Sequence, residues 1–268
     1  MTEREGRADL HIHTTASDGI ADVVSIVEGA AARDDLDVIG ITDHERIDAA
    51  LAGRAIALDR GLPIDVVVGE EVTTLGGHLL ALWIERPIRP YRSLGRTIAD
   101  VHEAGGLAIP AHPLVPYPLC AQGWVLRRLL DDPDVAVHPD ALETFNPTAL
   151  GRPWHDRVVR FADQHRLAHV GNSDAHALAA VGSGWTTFCG STADELRTAI
   201  LAGTTEHGGS FHGATGQVGV FGRQLRKRAI DARDEVTGRL RRDGTGRDHG
   251  YPGGRARPPR FDREAGRR

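Results

Sequence analysis

The stretch Asp9-Leu10-His11-Ile12-His13-Thr14 decides how this chain is read. Apolar and polar residues alternate along it at the spacing of a strand, so residues two apart project to the same side. His11 and His13 therefore project together, and Leu10 and Ile12 face the other way. Two imidazoles on neighbouring pleats make half of a metal site. Taken alone, the pattern also fits two packed, hydrogen-bonded histidines.

Working outward, the same chemistry recurs. Strand-like apolar runs cover 8–14, 37–42, 64–73, 78–84, 107–111, 141–145 and 168–172, with a further candidate at 185–188. Amphipathic helical stretches over 22–33, 48–60, 93–104, 153–166 and 192–202 alternate with them. This order predicts an α/β fold with a parallel sheet, open or closed into a barrel. The strand ends carry His or carboxylate: Thr42-Asp43-His44, Gly69-Glu70-Glu71, His78, Ala111-His112-Pro113, Glu143 in the sixth run, and Asn172-Ser173-Asp174-Ala175-His176. Asp18 lies in a Ser-Asp-Gly turn after the first run. The C-terminal strand edge is where β/α barrels keep their active sites. A donor set of His and carboxylate without thiolate suits Zn, Mn or Fe.

Composition bounds the rest. The chain has 268 residues, and its apolar fraction of 40% is enough for a large core. Its longest apolar run, Leu79–Ile84, is far short of a membrane span of about 20 residues. A charged N-terminus without an apolar stretch argues against a signal peptide. Cys120 and Cys189 are the only cysteines, which fits a cytoplasmic location. Charge is uneven: residues 1–214 carry −13 and residues 215–268 carry +8. In 215–242, Val218, Phe221, Leu225, Ala229, Ala232, Val236 and Leu240 form one helical face among arginines, a surface for docking or homo-oligomer formation. Residues 243–268 are rich in Gly and Pro and read as a disordered basic tail. The expected organisation is thus a catalytic body over 1–214, a helix over 215–242 and a tail over 243–268.

The ordered motifs D-L-H-x-H, S-D-G, T-D-H, G-x-E, H-x-L, A-H-P and N-S-D-A-H closely resemble those of the polymerase and histidinol phosphatase (PHP) superfamily over residues 8–206. Gly69–Thr74 followed by Gly77–Leu82 resembles the CehA/McbA-type subgroup. The resemblance implies a distorted seven-stranded β/α, TIM-like barrel and a trinuclear centre holding two or three divalent metal ions (Mn, Zn or Fe). It assigns His11, His13, Glu71 and Asp174 to one metal. Glu71 would bridge to a second, held by His78 and His112, and Asp18, His44 and His176 would hold the third. Glu71, Asp174 and His176 are the candidate catalytic residues.

Other residues are placed around that set. Asp9 and Asp43 adjoin ligand histidines and are expected to orient their rings, and Glu143 to support the site or approach substrate. Glu70 points away on its strand and reads as structural. Cys120, in a loop on the active edge, reads as packing. His102, His138, His155, His165, His169, His207, His212 and His249 fall outside the motifs and read as surface or packing residues. Arg152, just past the sixth strand, is the candidate substrate-binding residue, since a guanidinium matches phosphate geometry.

The expected activity is hydrolysis of a small phosphorylated substrate, a phosphomonoester or nucleotide-type ester, by metal-activated hydroxide. The rival readings are a carbamate or ester hydrolase, with Tyr117, Trp124 and Trp154 lining a dry pocket, and an exonuclease. A non-catalytic binding module is a third. The acidic body opposes a nucleic-acid track, which leaves polynucleotide binding to the basic tail.

Overall fold

A computed structural model of the protein describes residues 4–148 and 151–211. The helix and tail expected over 215–268 lie outside the described residues. In chain order the elements are β1 (Glu5–Ile12), α1 (Val23–Ala31), β2 (Val38–Ile41), α2 (Asp48–Arg60), β3 (Asp65–Thr74), β4 (Gly77–Leu82), α3 (Leu94–Glu103) and β5 (Leu107–Pro110). They continue as α4 (Gly123–Leu130), β6 (Ala141–Phe145), α5 (His155–His165), β7 (Ala168–Gly171), β8 (Gly184–Cys189), α6 (Ala193–Ala202) and β9 (Glu206–Gly209). Local chemistry sets several ends. The Asp22 side chain accepts from Ser25 N–H to start α1, and Thr192 and Glu195 form a reciprocal capping box on α6. No helix among the described residues is long and apolar enough to cross a membrane.

The sheet is mixed, not parallel. Its strand order is β5-β4-β3-β2-β1-β8-β9, and β6 pairs with β7 in a separate two-stranded sheet. The β1–β2, β2–β3 and β6–β7 ladders are parallel, whereas β3–β4, β4–β5, β1–β8 and β8–β9 are antiparallel. The reason is connection length. Only Leu75 and Gly76 separate β3 from β4, and a parallel return needs a crossover of about a dozen residues. The fold is therefore a curled, mixed α/β sheet. Among the described residues no ladder joins β6 to β5 or β7 to β8. Single contacts bridge those seams: Asp140 accepts from Ala108 N–H through its side chain and donates its own N–H to Ala108 O, and Thr186 Oγ1 donates to Gly171 O.

Strand directions gather the donors. Because β4 runs against β3, its first residues lie at the edge where β1, β2 and β3 end. β5 reverses again and ends there too. Past β7, Ala175 bridges in parallel to Ile12, which brings the Asp174 turn to the same edge.

The core has two parts. One lies between sheet and helices and contains Ile12, Ile26, Val27, Ile39, Ile41 and Val68. The other fills the inside of the curl, with Leu10, Val38, Val67, Leu80, Leu82 and Ile109. Leu10 and Ile12 thus lie on different sides, contrary to the strict alternation expected. The β1–β2 register shifts between Asp9 and Ile12, so one extra residue is accommodated there. The irregularity keeps Leu10 inside as the floor beneath His11 and turns Asp9 outward.

Candidate metal centre

Glu71 is the centre of the arrangement. Its Oε1 lies 2.7 Å from His78 Nδ1 and 3.1 Å from His112 Nε2. Its Oε2 lies 3.4 Å from His11 Nε2, 3.3 Å from His13 Nε2 and 3.4 Å from His44 Nδ1. The two carboxylate oxygens therefore face different histidines. Asp174 Oδ1 stands 3.5 Å from both His11 Nε2 and His13 Nε2. Asp18 Oδ1 stands 3.2 Å from His176 Nε2, 3.6 Å from His13 Nδ1 and 3.7 Å from His44 Nε2.

Three groups of converging donors result: His13, Asp18, His44 and His176; His11, His13 and Asp174; and His44, Glu71 and His78. His13 and His44 each belong to two groups, so a given ring can serve either neighbour. His112 touches Glu71 but lies outside these groups. Arg152 stands apart from the donors: it is exposed on a short 3-10 turn, and its guanidinium lies 5.5 Å from the Phe211 ring centroid.

The donors fit a divalent cation. His11 Nε2, both ring nitrogens of His13 and His78 Nδ1 are buried without a hydrogen-bond partner. An unpaired buried polar atom costs about 1–3 kcal/mol, and a cation that accepts the ring-nitrogen lone pairs would offset that cost at this point. Donor separations of 2.7–3.7 Å are those expected around an ion with bonds of about 2.0–2.2 Å. His112 and Asp174 hold left-handed backbones, with φ of 33° and 51°. Such conformations cost about 1–3 kcal/mol in a residue with a side chain and gather at functional sites.

Electrostatics point the same way. Burial pulls the His11 imidazole down, but the charges of Asp174, Glu71 and Glu143 outweigh it and leave its pKa well above the ordinary value. Burial likewise opposes charge on His13, yet Asp174 and Glu71 push it up to about 10. Burial would raise Glu71, but His78, His11 and His44 hold it well below the carboxylate range. Asp174 and Asp18 are lowered in the same manner, against their burial. His44 moves down, chiefly through burial. Without a cation, the carboxylates draw protons onto the rings. A bound cation replaces those protons.

Supporting contacts hold several ligands by their far sides. Glu143 Oε1 accepts from His11 Nδ1 at 2.9 Å, and Glu143 Oε2 accepts the His112 backbone N–H at 2.6 Å. Asn172 and Asn146 donate to Glu143, and Asn146 also donates to Asp174 Oδ2 at 3.3 Å. His176 Nδ1 donates to the Asp174 carbonyl at 2.9 Å, leaving Nε2 toward Asp18.

Asp9 and Asp43 do something other than expected. Among the described residues neither makes a hydrogen bond to an imidazole. Asp9, turned outward by the irregularity in β1, accepts from Ser173 and from Gly182 N–H, and burial raises its pKa to about 6. Asp43 accepts from Thr14 and Ser17 and so pins the turn that carries Asp18. Asn146 and Asn172, ordinary turn residues in sequence, join the site through Glu143, and Cys120, expected only to pack, places its Sγ 3.3 Å from His112 Nδ1.

Residues 152–205 match the family described as PHP-associated. An uncharacterized protein of Methanocaldococcus jannaschii, MJ1587, is 30% identical over 151 residues, 52% of this chain and 81% of that protein. Among solved structures, a two-domain protein of Bacteroides vulgatus containing a predicted PHP-like metal-dependent phosphoesterase superposes with a TM-score of 0.64 at 17% identity, over 84% of this chain and 70% of that one. PsfC of Pseudomonas syringae superposes with a TM-score of 0.56 at 19% identity, over 85% and 99%. The two structures share the fold of this chain, and the sequence likeness to the PHP-associated family covers residues 152–205.

Proposed function

We propose that the protein is a metal-dependent phosphoesterase that hydrolyses a small phosphate ester. The observation that carries this reading is the convergence of Glu71, Asp174 and Asp18 with buried, unpartnered ring nitrogens at one sheet edge. Divalent cations, when bound, supply Lewis acidity to water and to the phosphoryl oxygens. In this reading His11, His13 and Asp174 would hold one ion, Glu71 with His78 and His112 would hold a second, and Asp18, His44 and His176 a third. The CehA/McbA-type likeness and a trinuclear count belong to the same proposal.

The chain's own residues prepare the site. Glu143 holds the His11 proton at Nδ1, so Nε2 is presented to the centre. The Asp174 carbonyl does the same for His176. Asn146 orients the Asp174 carboxylate. Arg152 is exposed beside β6 and is proposed to receive the phosphate of the substrate.

The carbamate reading is less favoured on one observation. Tyr117 is 54% and Trp124 66% exposed, so neither walls a dry pocket. The test is metal analysis of purified protein, followed by parallel assays in that metal with a phosphomonoester, a nucleotide bisphosphate, an oligonucleotide and an aryl carbamate. Turnover of a phosphate ester that stops with chelator is expected. A metal-free protein, or turnover of the carbamate alone, overturns the proposal.

A further inference from the structure

We infer that Cys120 is a positioning residue for His112: its sulfur accepts the Nδ1 proton of the ring and so presents Nε2 to Glu71. The inference rests on the proposed role of His112 as a metal ligand.

A neutral imidazole carries one proton, and ligation through one nitrogen requires that proton on the other. Other ligand rings in the centre have a protein partner at the far nitrogen: Glu143 for His11, the Asp174 carbonyl for His176 and Thr73 Oγ1, at 3.5 Å, for His78. For His112 the partner is Cys120 Sγ, 3.3 Å from Nδ1, while Nε2 lies 3.1 Å from Glu71 Oε1.

The cysteine is delivered there by a closed loop. Leu114 N–H donates to Ala121 O, and Gln122 Nε2 bridges the carbonyls of Val115 and Cys120. His78 N–H reaches Leu119 O at 2.9 Å, tying the loop to the start of β4. Gly77 makes that approach possible: its φ is 122°, and a Cβ there would stand 2.4 Å from Ala121 N. The thiol is buried, so water does not substitute for it.

The test is zinc binding to the full chain, measured by competition with a chromophoric chelator, for wild type, His112→Ala, Cys120→Ala and Cys120→Ser. Cys120→Ala should weaken the zinc equivalent that His112→Ala removes by about tenfold, the lower end for loss of a partner behind a ligand, and Cys120→Ser, which keeps an acceptor, should stay within about threefold of wild type. A second measurement needs no variant at the cysteine. In 15N-histidine-labelled, zinc-loaded wild-type protein, the His112 ring should be protonated at Nδ1.

Three results overturn the inference: unchanged zinc affinity in Cys120→Ala, equal weakening in Cys120→Ser and Cys120→Ala, or a His112 ring protonated at Nε2. Full zinc retention by His112→Ala overturns it as well, and also removes His112 from the proposed ligand set. That failure is distinct from one in which His112→Ala loses zinc and Cys120→Ala does not.

Discussion

Among the described residues two clusters of histidines have similar ring spacing and opposite chemistry. At the sheet edge, His13 lies 5.1 Å from His11, 4.8 Å from His44 and 4.2 Å from His176 between ring centroids. Behind β6, His207 lies 5.2 Å from His155 and 5.6 Å from His169, packed on Phe145. The first cluster faces Asp18, Glu71 and Asp174. The second has one carboxylate nearby, Asp163, bonded to His169 on the exposed side. The consequence is opposite charge: His13 is pushed up to about 10, whereas burial and then the two neighbouring rings push His207 down to about 4. Among the described residues the second cluster forms no group of converging donors. Proximity of imidazoles does not make a cation site. Convergent carboxylates do, because they compensate the charge that burial penalises.

The sharpest way to break that comparison is to remove donors from each cluster in turn. His11→Ala combined with His13→Ala should strip metal and lower phosphate-ester turnover by about 10³-fold or more, the scale of losing preorganised charge stabilisation. His155→Ala should leave metal content unchanged. Metal analysis and steady-state rates on the same preparations decide it. Equal metal loss in both variants would show that the two clusters are not different in kind.

Glu71 and Glu70 sharpen the comparison at the level of one strand. Glu71→Gln keeps shape but removes the charge that faces His78, His11 and His44, so turnover should again fall by about 10³-fold with loss of metal. Glu70 lies on the opposite side of β3, fully buried beneath the segment 84–92, where it accepts the Ile88 N–H. Burial raises its pKa to about 7, so a neutral side chain is already tolerated there. Glu70→Gln should change turnover by no more than a few-fold. The reverse ranking would mean that the register of β3 against the site is wrong.

Much of this was legible in the sequence because strand periodicity and strand-end position are local properties. The H-x-H pair, Glu71 within β3 and the donors after β2, β5 and β7 needed no tertiary information. Strand direction differs from the expectation although only four residues separate the expected strands 64–73 and 78–84, too few for a parallel crossover. β9 reads Glu-His-Gly-Gly, with no apolar alternation, and carried no signal, whereas α4 starts at Gly123 without a side-chain cap but has Leu126, Leu129 and Leu130 at helical spacing and was overlooked. Partners acting across the fold were the least legible. Glu143 meets His11 across 132 residues, and Cys120 meets His112 through a loop whose closure depends on Gly77. Asp9 was misread for a subtler reason. Period 2 places it beside His11, and the shift in β1 register turns it away.

The comparison also predicts a pH dependence for each cluster, read as metal affinity in the first and as stability in the second. In the metal-free centre, His11 and His13 hold protons that a cation must displace. Affinity should therefore rise with pH, by about tenfold per unit for each proton released, and fall on acidification. Chelator competition between pH 8 and pH 6 measures the slope. A pH-independent affinity would mean that the rings are already unprotonated and that the carboxylates do not govern them.

The smallest effect concerns stability and the second cluster. His207 donates to or accepts from Thr144 Oγ1 at 3.0 Å and faces His155 and His169, with Asp163 beyond His169. Its folded pKa is about 4 against 6.5 for the free side chain, chiefly through burial. Between those values the unfolded chain binds the proton and the folded one does not. Stability is therefore complete above about pH 6.5 and is lost progressively as pH falls through 6.5 toward 4. His207→Asn keeps a polar group near Thr144 but cannot titrate. It should be less stable at pH 8, through lost ring packing, and yet show a shallower decline in melting temperature between pH 6.5 and pH 4 than wild type. The readout is the difference in slope, since Asp9 and other groups titrate in both proteins and cancel. An unchanged slope would mean that His207 is charged in the fold, and the contrast between the two clusters would then lie in their ligands alone and not in their protonation.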